Sequence, residues 1–103
     1  MLLSNQKYKS GDIISIKISN GDEIVAKFSE ETSTGFMIVK PMIVVTTQKG
    51  VALMPALFTA VPGDNTISFN HIMLHGPSEE QIKTYYISQT TGIQTIPKSN
   101  III

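Results

Sequence analysis

A chain of 103 residues with 42% hydrophobic content is enough for one compact domain and too short for two. The absence of cysteine excludes disulfide frameworks, thiolate metal sites and a cysteine nucleophile. Eight lysines against eight acidic residues give zero net charge, so the basic excess of an ordinary nucleic-acid surface is missing, and with no arginine there is no guanidinium fork for phosphates or guanine edges.

The chain opens with Met1-Leu2-Leu3 running straight into Ser4-Asn5-Gln6-Lys7, which is no signal-peptide core, and no later apolar run nears the roughly 20 residues that cross a bilayer. The expectation is a soluble cytoplasmic protein with no membrane contact. Met1 to Ser10 shows no useful helical period and reads as a frayed arm or a short extra strand. Tyr8, between Lys7 and Lys9, either stacks on a base or packs its ring on the domain edge. From Ile13 to Ser19, Ile14, Ile16 and Ile18 alternate with Ser15, Lys17 and Ser19, the mark of a half-buried strand. Asn20-Gly21 supplies two residues that tolerate positive φ, as a tight hairpin demands. Ile24, Ala26 and Phe28 continue an apolar face along a second strand, Glu23 to Ser29. The polar patch Glu30-Glu31-Thr32-Ser33-Thr34-Gly35 ends it, and a third strand begins at Phe36.

The order Gly11, strand, Asn20-Gly21, bent second strand, polar loop and third strand resembles the first half of the Sm-like domain, including its bacterial Hfq variety, some of it phage-encoded. The resemblance implies a mainly β fold: a small five-stranded, strongly bent antiparallel barrel over about residues 11–76, followed here by a helix. It also implies a homo-oligomeric ring, pentamer to heptamer, closed by the fourth strand of one subunit on the fifth of the next, that binds RNA or single-stranded DNA. In the family an Asp and an Asn of the second loop frame the base pocket. Thr32 and Gly35 occupy those places, so the usual base-reading side chain is missing.

The third strand runs on past Pro41 through Met42, Ile43, Val44, Val45 and Thr46, with Pro41 marking a bend, bulge or edge. Thr47-Gln48-Lys49-Gly50 reads as a turn and Val51 to Ala60 as a fourth strand, apolar on both faces and in need of cover. Val61-Pro62-Gly63-Asp64-Asn65 is a loop, and Thr66 to Leu74 a fifth strand ending in His75-Gly76. That dipeptide stands where the family carries Arg-Gly beside the first loop, so the resemblance assigns Thr32, Ser33, Thr34, Gly35, His75 and Gly76 to the nucleotide site. The residues themselves leave His75 open between such a contact and a strand-end histidine bonded to nearby backbone. His71, on the face of Phe69 and Met73, reads as a partly buried histidine. On one strand the two histidines would stand about 13 Å apart, too far to share a metal ion.

Ser78 as cap and Gln81 three residues later start a C-terminal helix over about 78–91 that shares Ile82, Tyr85, Tyr86 and Gln89 on one face; a strand over Thr84 to Gln89 is the alternative. The tail from Ile93 to Ile103 ends in three isoleucines that need a docking surface. Nothing resembles a nucleophile elbow, a phosphate-cradling glycine loop or a metal motif, so no catalysis and no cofactor are expected. The two functions left are a nucleic-acid-binding ring serving RNA or DNA processing, and a structural ring that has lost the nucleotide pocket.

Overall fold

The computed structural model describes residues 8–57, 59 and 65–91. The elements run β1 (Ile13–Ile18), β2 (Glu23–Glu31), β3 (Gly35–Thr47), β4 (Gly50–Pro55), β5 (Asn65–Ser68), a 3-10 turn (Phe69–His71), β6 (Ile72–Pro77) and α1 (Glu80–Thr90). The arm Met1 to Lys7, the loop Val61 to Asp64 and the tail Ile93 to Ile103 lie outside the described residues. The described chain is mainly β, one strongly bent antiparallel sheet with a C-terminal helix.

Strand order is β4-β3-β2-β1-β6, with β5 on the first half of β3. β1 and β2 form as their alternation dictates: Ile14, Ile16, Ile24, Ala26 and Phe28 are buried on one face, together with Tyr8, Phe36 and Ile38. The hairpin between them is looser than a two-residue turn. Ile18 N donates to Asp22 O at 2.9 Å, which leaves Ser19-Asn20-Gly21 as a three-residue loop, and Gly21 alone takes positive φ, at 96°. Asn20 serves with its side chain instead, its Oδ1 accepting from Asp22 N at 2.9 Å.

The long third strand has three neighbours. Its first half lies between β2 and β5, and its second half between β2 and β4. Opposite Ala26 it carries an extra residue: Val25 faces Met42 and Lys27 faces Val39, so Lys40-Pro41 form a bulge where a proline needs no donor. Lys40 sits there at φ 48°, a left-handed conformation that costs about 1–3 kcal/mol in a non-glycine residue. The helix holds it. Tyr86 Oη donates to the carbonyls of Lys40 (2.8 Å) and Val39 (3.0 Å), and Lys40 Nζ donates to Thr90 O at 2.8 Å, at the negative end of α1.

Four sequence expectations are corrected. The fourth strand, expected to run to Ala60, ends at Pro55 among the described residues, with one last ladder bond from Ala56 N to Pro41 O at 2.9 Å. The expected fifth strand is broken: Ser68 accepts from Asn70 N at 3.1 Å and caps the 3-10 turn, which redirects the chain from β5 to β6. His71 is therefore exposed on that turn, its carbonyl accepting from Ser19 N at 2.8 Å, and is not a partly buried strand residue. Helix α1 is real, yet Ser78 does not cap it; Ser78 N extends the β6 ladder to Ile13 O and its Oγ meets Ser15 Oγ at 2.8 Å. On the second face of the sheet α1 lays Tyr86, Ile82 and Tyr85 over Ile13, Val25, Met42 and Leu53.

A Cβ at Gly35 would overlap the carbonyl oxygen of Ile67, because β3 and β5 approach there backbone to backbone. Gly35→Ala is expected to destabilise the protein by about 2 kcal/mol, on the order of 10 °C in Tm by calorimetry. Burial pushes the Tyr86 hydroxyl up from 10.0 to about 12. The folded chain thus keeps this proton where the unfolded chain loses it, and the stabilisation present below about pH 10 is lost as pH rises toward about 12. Tyr86→Phe should flatten that alkaline limb in urea titrations, while lowering stability at neutral pH by about 1 kcal/mol.

Candidate nucleic-acid interface

The loop between β2 and β3 is built around one hydroxyl. Thr32 Oγ1 donates to Gly35 O and accepts from Gly35 N, both at 3.0 Å, and accepts from Thr34 N at 3.3 Å. Its capacity is used inside the turn, so its work is structural. Ser33 and Thr34 remain exposed. The missing base-reading side chain at Gly35 now has a cause, since the backbone of β5 occupies the space that any side chain would need.

Beside this loop lie the β5 end and the 3-10 turn. Thr34 O accepts from Phe69 N at 2.8 Å, and Thr32, Thr34 and Gly35 share a depression of about 260 Å³ with Thr66, Ile67 and Ser68. His75 and Gly76 line a different one, of about 270 Å³, with Ser15, Ile16, Lys17, Glu23 and Leu74. No residue is common to the two linings, so the six residues assigned from sequence fall into two groups. Both volumes lie under the roughly 300 Å³ at which enclosed small-molecule pockets begin, and both suit surface contact better than engulfment.

One buried ring joins the two groups. Phe36, 2% exposed, meets Phe69 at 5.3 Å and His75 at 5.1 Å between centroids, both edge to face, and also touches Phe28 and Tyr8. Tyr8 settles as a packing residue: it is 4% exposed, and its Oη lies 2.6 Å from His75 Nδ1. Burial, with the charge of Asp12 adding to it, raises the Tyr8 hydroxyl pKa and keeps it protonated. The imidazole of His75 is thus bonded to a side chain, an arrangement that neither sequence alternative named.

Sequence reasoning missed Phe69. Reading Thr66 to Leu74 as one strand hid it, although Ser68-Phe69-Asn70 carries the turn residues that could have exposed the break. Phe69 is 38% exposed and follows directly on Ser68 of the first depression, without itself lining it. Electrostatically the first depression has no charged lining residue, and the second holds one charge of each sign, Lys17 and Glu23, at opposed positions of β1 and β2. The Oγ of Ser19 and the Nδ1 of His71 lie 3.4 Å apart on the exposed turn, long for a nucleophile and its base. The sequence matches no known family model and no curated protein.

A double-mutant cycle of Tyr8→Phe and His75→Ala should return a coupling of about 1 kcal/mol in urea denaturation, the worth of one part-buried hydrogen bond. Additive effects would show that the pair is merely adjacent.

Proposed function

We propose that this chain is a non-catalytic, Sm-like subunit of a cyclic homo-oligomer that binds single-stranded RNA or DNA and serves its processing. The observation that carries the reading is the layout of strands and edges. β4 and β5 pair with successive parts of β3 and together fill the place of one interrupted fourth strand, which puts β6 in the place of the fifth. Among the described strands β4 pairs only with β3 and β6 only with β1, so the fourth and fifth places form the two ends of the sheet. Both carry exposed apolar side chains, Val51 and Met54 on one, Met73 and Leu74 on the other. An edge of that kind favours a partner strand, and head-to-tail pairing around a closed rotation supplies one to every subunit.

For the ligand, the support is Phe69. An exposed aromatic face beside the hydroxyls of Ser33 and Thr34 can stack a base and hold its sugar or edge, a mode that tolerates many sequences. Thr32 and Gly35 shape this site from within; His75 and Gly76 stand on the other side of Phe36. The second reading, a protein-interaction ring without a nucleotide site, draws on the uncharged lining of the first depression and the balanced charges of Lys17 and Glu23 in the second.

Fluorescence anisotropy with short labelled single-stranded RNA and DNA at low and moderate salt separates the two. Binding is expected in the micromolar range or tighter, weakening with salt, and Phe69→Ala should reduce it at least about five-fold, the loss of one stacked base. No binding at low salt retires the nucleic-acid reading in favour of the interaction ring.

A further inference from the structure

The hairpin tip between β1 and β2 carries a chemistry of its own. The asparagines of the chain are followed by Gln6, Gly21, Thr66, His71 and Ile101, so Asn20 alone has a neighbour without a side chain to screen its backbone nitrogen. Both Asn20 and Gly21 are exposed, and a Cβ built on Gly21 would meet nothing within 4 Å. The outer side of this peptide bond is open.

Asp22 serves both ends of the Asn20 amide. Its backbone N donates to Asn20 Oδ1 at 2.9 Å, and its Oδ2 accepts from Asn20 Nδ2 at 3.1 Å. The first bond draws electrons from the amide carbon and is placed to hold an oxyanion on Oδ1; the second sets a carboxylate beside the nitrogen as it gains a proton and leaves. The nucleophile is the part held back. Gly21 N, the atom that can close a five-membered ring on Asn20 Cγ, donates instead to Ile18 O at 2.8 Å, with Gly21 at φ 96°.

We propose that Asn20 is a self-modification site, where the chain loses ammonia and becomes aspartate or isoaspartate, and that the bond from Gly21 N to Ile18 O is its gate. When that bond opens, Gly21 N gives its proton to water and attacks Asn20 Cγ. The new N-C bond forms, the Cγ-Nδ2 bond breaks, and Nδ2 takes up a proton and leaves as ammonia. A cyclic imide remains. Water then adds to one imide carbonyl and the C-N bond there breaks, giving aspartate if the ring opens at Cγ and isoaspartate if it opens at the main-chain carbon. One water is consumed and one ammonia released, with no oxidant or cofactor.

The gate is local, because turning one tip amide to solvent leaves β1 and β2 paired from Ile13 to Lys17. The product sets a carboxylate against the Asp22 carboxylate where an amide had bridged to it, and the net charge falls from zero to one negative. Isoaspartate also adds a backbone carbon to the loop whose Ile18 N and Ser19 N bond to Asp22 O and His71 O.

Incubating the full-length protein at neutral and mildly alkaline pH, followed by isoelectric focusing and peptide mapping by mass spectrometry, tests the site. Cleavage after Lys17 and Lys27 isolates Asn20 as the one asparagine of its peptide. An acidic isoform should accumulate, faster at the higher pH, with the mass gain of an acid for an amide confined to that peptide, and Asn20→Gln should suppress it. Tyr86→Phe, which weakens the whole fold, should change the rate by less than about two-fold; a rise of about five-fold, following the unfolded population, would overturn the local gate. An isoform that persists in Asn20→Gln or maps to another peptide would overturn the site. A native protein that stays unmodified while the urea-unfolded chain reacts would overturn the proposal that the folded tip modifies itself.

Discussion

One strand serving three partners is the constraint on which this structure turns. β3 cannot follow β2 and also offer straight flanks to β4 and β5, so it must bend, and the bend is concentrated at Lys40-Pro41. A left-handed lysine is unfavourable on its own. It persists because the Tyr86 hydroxyl, held at the centre of a buried face, finds its acceptors in the two carbonyls that the bulge turns toward the helix. The helix is therefore more than a cover for the second sheet face. It fixes the angle between the two halves of β3, and with it the relative placement of β4 and β5.

From that angle the surface chemistry is set. The first half of β3 presents Phe36 to the interior, and Phe36 sets Phe69 at one depression and His75 at the other. A close backbone approach at Gly35 draws the 3-10 turn against the β2–β3 loop. Hydroxyls and an aromatic edge result, without fixed charge. For the proposed ligand such a surface offers stacking and shape, and attraction for phosphate would have to come from lysines farther out.

Much of the sheet could be read from alternation. Ile14, Ile16, Ile24, Ala26 and Phe28 announced their face, and the continuation past Pro41 was visible in the run from Met42 to Thr46. The site was less legible, for two reasons. The run from Thr66 to Leu74, with Ile67, Phe69 and Met73 at alternate positions, has the pattern of a strand, and the local hydrogen bond from Asn70 N to Ser68 Oγ breaks it. Period-two reasoning cannot see a side chain capturing backbone. The partnership of Tyr8 with His75, and the use of Ser78 by Ser15 in place of the helix end, depend on tertiary contacts that no window of sequence contains.

Two tyrosine hydroxyls fasten this chain across long spans, Tyr8 to His75 over 67 residues and Tyr86 to Lys40 over 46. Neither contact can form early, because each needs the sheet already curled to bring its ends together. Closing such loops costs chain entropy before any contact rewards it. Rates for topologies of this kind lie on the order of milliseconds to seconds. The sheet edges therefore take their final geometry only once Tyr86 has closed on Lys40.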